Sequence, residues 1–93
     1  MDRQTIIELI EREERKQVER KGYTPEHDAQ HTGMDWQAIL AQEVGGVATA
    51  ALNDNRGMVP SIVKVLAVGI KALAAYPWPD TVAKLAASGP LFD

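Results

Sequence analysis

The 93-residue chain contains no cysteine. That excludes a disulfide framework, a thiol nucleophile and any zinc–thiolate site. Aromatic residues are scarce as well: Tyr23, Trp36, Tyr76, Trp78 and Phe92 are all there are. Strands draw on aromatic and β-branched residues. An apolar complement of mostly alanine, valine, leucine and isoleucine therefore favours helix packing over a β-sandwich. Positive charge is not in excess, since 10 Lys and Arg face 13 Asp and Glu for a net charge of −3. Nucleic-acid recognition usually needs a basic face, so no nucleic-acid partner is expected. The longest uninterrupted apolar run, Val65–Ile70, falls well short of the roughly 20 residues that span a bilayer, and no membrane partner is expected. The charged N-terminus does not read as a signal peptide, and a soluble cytoplasmic protein is the expectation. A Walker loop, a dinucleotide fingerprint, a nucleophile elbow and a basic helix-turn-helix are all missing.

What is present reads as one domain, residues 1–93, all-α: a small helical bundle of three main helices plus a short C-terminal helix, completed by oligomerisation. A chain this short buries only about 60–65% of its unfolded surface, so help from a second subunit fits. Residues 1–35 carry nine acids and six bases, residues 36–93 four of each; the chain begins as a solvated helix and continues as core. The first helix is expected from Asp2 to Lys21, closed by Gly22 in the left-handed conformation, with Ile6, Leu9, Ile10, Gln17 and Val18 inward. Thr24 and Pro25 should begin a short turn. Asp35 should cap a second helix reaching Leu52, in which the pair Gly45-Gly46 would mark a close approach of the next helix, since glycine inside a helix otherwise costs about 1 kcal/mol. Asn53 to Gly57 is a polar turn. The third helix, Pro60 to Ala75, is apolar almost all round, as a central or subunit-sharing helix is. Asp80 or Thr81 should cap the last helix, through Val82 and Leu85.

Two segments carry a family resemblance. Ile39-Leu40-Ala41-Gln42-Glu43-Val44-Gly45-Gly46-Val47-Ala48 and Pro60 to Leu73 resemble the metal-binding helices of MazG-like all-α nucleotide pyrophosphohydrolases, particularly small versions from phages and prophages. The loop Gly22-Tyr23-Thr24-Pro25-Glu26-His27-Asp28 with His31 is similar to the segment leading into such proteins, and the likeness covers about residues 11–75. In that family one helix carries Glu-x-x-Glu and a later one Glu-x-x-Asp, and facing carboxylates bind magnesium for cleavage of a nucleoside triphosphate. Here Glu43 matches the first acid, while Gly46, Ser61 and Lys64 stand where the other three would be. One carboxylate beside an ammonium does not hold a hard dication, so the resemblance implies a scaffold without its chemistry and no catalytic residue, Glu43 being a remnant. Glu43 then either faces solvent or is neutralised by Lys64 in the space of the lost metal.

What such a scaffold does now has two readings. The first is a non-catalytic phage or prophage protein that binds a host protein, in the manner of an anti-defence inhibitor such as an anti-CRISPR protein, and forms a homo-oligomer. The second is an enzyme, a nucleotide pyrophosphohydrolase with an altered magnesium site that Glu13, Glu14 or Asp54 helps to build, or else a protein that binds nucleotides without hydrolysis. Trp36 is expected in the core. Trp78 and Phe92, outside the central helix pair, are the candidate partner-binding residues. His27, Asp28 and His31 could present two imidazoles and a carboxylate to a transition metal, against the plainer reading that they fasten the loop to the second helix. Lys71 and Lys84 read as ordinary surface charges.

Overall fold

The computed structural model describes residues 1–78, and among these there are four helices and no strand: α1 Arg3–Lys21, α2 Pro25–Asp28, α3 Gly33–Leu52 and α4 Met58–Ala75. The all-α expectation holds. The expected C-terminal helix around Val82 and Leu85, together with Lys84 and Phe92, lies outside the described residues.

Local chemistry sets most of the boundaries. Thr5 N–H donates to Asp2 Oδ1 at 2.8 Å, and Gly22 at φ 71° closes α1, its N–H donating to the carbonyls of Gln17 and Val18. Thr24 caps α2 through the His27 N–H, with Pro25 as its first residue. The start of α3 differs from expectation. Its N-cap is Thr32, and Asp35 is the third helical residue, the two joined reciprocally: Asp35 N–H donates to Thr32 Oγ1 at 3.1 Å and Thr32 N–H to Asp35 Oδ2 at 2.8 Å. Such a capping box satisfies two orphan donors, so the helix begins two residues before the acid that would otherwise have capped it. Between α3 and α4 the chain turns through Asp54 (φ 57°), Asn55 (φ 63°) and Gly57 (φ 77°), left-handed positions that Asn, Asp and Gly tolerate best.

The apolar third helix of the sequence, α4, is indeed central. It packs on α3, on α1 and on α2, whereas α1 and α3 make no contact with each other. The three long helices therefore form a single layer with α4 in the middle. Ala67, Val68 and Ala72 of α4 are buried, together with Trp36 and Ala50 of α3 and Ile10 of α1. Trp36 packs against Val68 and Ala72, with Ile39, Leu40, Ala75 and Tyr76 around them. Small residues at these positions let the helix backbones come close. Gly45-Gly46 does not serve that purpose: both are exposed, and a Cβ built on either meets nothing within 4 Å. Alanine, not glycine, makes the close contacts here.

By length and composition alone α4 could cross a bilayer, since mean hydropathy over its 18 residues is 1.8 even though Lys64 and Lys71 interrupt it. Only 22% of it is buried.

Candidate functional site

Because α1 and α3 lie on opposite sides of α4 without meeting, they leave a trough over one face of the middle helix. There the chain forms an open cavity of about 600 Å³. Its floor is Lys64, Val68 and Lys71, spaced at helical intervals along α4. One wall is Gln17 and Lys21 of α1; the other is Trp36, Ile39, Gln42, Glu43 and Gly46 of α3. The α2 segment closes one end with Tyr23, His27 and His31.

Those end residues stand in a row. Tyr23 stacks on His27 with ring centroids 5.1 Å apart and planes 15° from parallel; His27 meets His31 edge-on at 5.1 Å, and His31 meets Trp36 edge-on at 4.9 Å. Edge-to-face and offset contacts of this kind suit aromatic quadrupoles, so the row is a packed ladder from the surface into the core. At its inner end the Trp36 indole N–H is buried and finds no acceptor among the described residues.

Lys71 holds the site together. Its ammonium lies 3.1 Å from Asp28 Oδ2 and donates to Gln17 Oε1 at 3.2 Å and to the Tyr23 carbonyl at 3.1 Å. It also sits 5.5 Å from the centroid of the Tyr23 ring. Asp28 and Gln17 are both buried, and the Lys71 side chain is only 11% exposed. The sequence reading took Lys71 for a surface charge. The missed signal was the spacing of the two cations of α4, Lys71 one heptad after Lys64 on an otherwise uncharged helix, which places both ammonium groups on one face. Burying Asp28 is tolerable only because this partner is in place.

Several expected placements can now be compared. Glu43 is half-buried and lines the cavity with Gly46 and Lys64, so three of the four positions named by the family resemblance border one space, and Ser61 does not. Lys64 and Glu43 nevertheless form no ion pair within 4.0 Å; the ion pair in this region is Lys71–Asp28. None of Glu13, Glu14 and Asp54 lines the cavity, and Glu13 accepts a hydrogen bond from Gln17 at 2.9 Å instead. One carboxylate, with an ammonium on the same floor, does not fit magnesium. Among His27, Asp28 and His31 one donor atom of each lies within 4.8 Å of the others. The Asp28 oxygen is already engaged by Lys71, whose positive charge disfavours a dication at that point, so the trio fastens the loop better than it fits a metal, with Asp28 tied to α4 and not to the expected second helix, which His31 alone meets through Trp36. Trp78 sits at the far end of α4, packed on Tyr76 at 4.4 Å with its indole N–H donating to the Ala72 carbonyl at 2.9 Å.

The cavity thus has cations and amides around an aromatic end wall. Lys64 and Lys21 have no ion-pair partner among the described residues, and positive groups outnumber the single carboxylate of Glu43. No family model, no curated protein and no solved structure matches the chain.

Proposed function

We propose that this is a non-catalytic binding protein, and that the cavity over α4 takes an anionic small molecule bearing a planar ring, with nucleotides as the ligand class. The observation that carries this is the composition of the cavity wall. The ammonium groups of Lys64 and Lys21 are unpaired among the described residues, Gln42 offers an amide, and Tyr23, His27 and His31 line the end of the cavity with aromatic rings. Anionic groups are drawn to such cations, and base rings to aromatic faces. The volume is that of an ordinary ligand pocket. Hydrolysis is not part of the proposal, because a single carboxylate beside Lys64 supplies no dication site. The lost acids of the resemblance are then the change that turns a nucleotide-cleaving scaffold into a nucleotide-holding one, in keeping with a phage or prophage origin.

Calorimetric titration with a nucleotide panel, with and without magnesium, tests this reading. Magnesium-independent binding that weakens with salt, and weakens about tenfold in Lys64→Met, is expected for one phosphate contact of a charged kind. Pyrophosphate release that disappears in Glu43→Gln would overturn the non-catalytic part.

A second reading, capture of a host protein, is favoured by a separate observation. Trp78 remains 36% exposed although its indole N–H is satisfied, leaving an aromatic edge at the C-terminal end of α4. Phe92 shares that proposal from outside the described residues. Pull-down from a bacterial lysate with the parent and with Trp78→Ala separates the two: a protein retained by the parent and lost by the variant supports capture.

A further inference from the structure

The cavity occupies one face of α4, the face of Lys64, Val68 and Lys71. The opposite face carries Val59, Ile62, Leu66, Ile70 and Leu73, each between 41% and 71% exposed, with no charged residue among them. Their spacings of three, four, four and three residues keep them on one stripe along the whole helix. A stripe of this length on the middle helix of a single layer is what a two-layer fold would cover, because a layer of helices needs a second layer for its other face.

The order of the stripe says what covers it. Counted outward from Leu66, the residues are placed alike in both directions: Ile62 and Ile70 lie four positions away, Val59 and Leu73 seven. Each pair is also matched in chemistry, isoleucine with isoleucine and valine with leucine. A two-fold interface requires a patch complementary to itself, so that residue i meets j and j meets i. About an axis at Leu66 every stripe residue of one helix falls opposite a stripe residue of an antiparallel second copy, so none is left without an apolar counterpart. Lys64 and Lys71, the charged residues of α4, line the cavity on the other face; charge reaches the stripe only at its α1 edge, where Arg12, Glu13 and Lys16 border Val59 and Glu14 borders Ile70. Gly69, on the same side, has nothing within 4 Å of a built Cβ, so no contact inside the protomer calls for glycine there. Two backbones crossing near it would.

We propose that the outer face of α4 pairs with the same face of a second copy, antiparallel about a two-fold axis at Leu66, so that Leu66 meets its own counterpart, Ile62 meets Ile70 of the second copy, and Val59 meets Leu73 of the second copy. The dimer gives the single layer its second layer and leaves both cavities open on its outside. This arrangement is independent of the ligand reading and stands if no nucleotide binds. The stripe supplies several hundred Å² per copy, and Val44, Ala48 and Ala51, exposed on the α3 flank away from the cavity, extend it toward the roughly 800 Å² per partner of a standard interface.

The absence of cysteine gives a clean test in the full-length chain. Light scattering should give twice the 10.2 kDa protomer mass, and Leu66→Lys should return it to the protomer mass with helical circular dichroism retained. Under mild oxidant Leu66→Cys should crosslink to a dimer. The double variant Val59→Cys/Leu73→Cys should crosslink too, whereas Gln42→Cys, exposed on the cavity side of α3, should not. If the full-length chain stays monomeric up to about 100 μM, well above the dissociation constant of an ordinary specific dimer, and Leu66→Cys stays uncrosslinked, the proposal is wrong. Residues 79–93 or a lipid surface then cover the stripe; co-flotation with vesicles identifies the second. A dimer in which Leu66→Cys fails to crosslink, or Gln42→Cys does so equally, rejects the two-fold axis.

Discussion

Lys71 is the residue on which most of the polar interior depends. Three acceptors from three preceding segments converge on its ammonium, and one of them, Asp28, is a buried carboxylate. Replacing it with methionine keeps the stem and removes the charge, leaving Asp28 buried without a counter-ion. We expect Lys71→Met to lower unfolding stability by about 3–5 kcal/mol in urea titration, the range for breaking a buried pair from one side. Asp28→Asn in that background should recover part of the loss, because the uncompensated charge goes with it. Equal stability of Lys71→Met and parent would mean that solvent already screens Asp28.

The helix caps titrate at the same scale. Asp35 is held below the usual carboxylate range first by the Thr32 backbone N–H it accepts, then by the Thr32 side chain, with His31 adding a smaller pull; Asp2 is held low by Thr5 in the same way. A carboxylate whose folded value is depressed adds stability above its unfolded value, near 3.8. That contribution is lost as pH falls through the lower folded value. Thermal melts should therefore drop from about pH 4 downward, and the drop should shrink in Asp2→Asn/Asp35→Asn. Thr32→Ala, which removes one arm of the capping box, should cost about 1 kcal/mol at neutral pH.

At the scale of the helix, Gly45 and Gly46 are the informative correction. The sequence shows two glycines in mid-helix, and close packing is the usual compensation; the structure puts both in the open. The helix penalty is then uncompensated by packing, and Gly45→Ala should stabilise the fold by about 0.5–1 kcal/mol. A melt unchanged or lowered in that variant would show that something outside the chain sits on the glycine. What could be read from sequence divides along physical lines. Helix ends were legible wherever a residue acts on its own backbone, as Asp2, Gly22, Thr24 and Pro25 do. The central place of α4 was legible from its apolar circumference, and burial of Trp36 from its size. The start of α3 was misread because Thr32 and Asp35 cap jointly, and a single-residue rule picks only one of them. The cavity's ion pair was not legible at all. Lys71 and Asp28 are 43 positions apart in the chain, and no periodicity links a short loop helix to a position on α4.

For the molecule as a whole, the single-layer arrangement has a dynamic counterpart. α3 and α4 form a hairpin joined by a short turn, while α1 rests on α4 alone and is held at its C-terminal end by the Gln17 contact. Amide hydrogen exchange should find α1 less protected than either hairpin helix, since local opening follows the weakest-packed element. Protection of α1 equal to that of α4 would indicate that α1 is covered on a second side.

The meeting of three segments at one ammonium also fixes when it can form. The Lys71 partners Gln17 and Tyr23 lie 54 and 48 residues earlier in the chain, so the contact closes long loops, whereas α3 and α4 meet through a short one. Loop-closure entropy makes such distant contacts late events in folding. Lys71 therefore belongs to the descending side of the barrier, where its loss is felt in how fast the native protein comes apart. Stopped-flow kinetics of Lys71→Met should show unfolding accelerated by roughly a hundredfold or more with refolding nearly unchanged. A variant that folds slowly and unfolds at the parental rate would place this lysine in the nucleus instead.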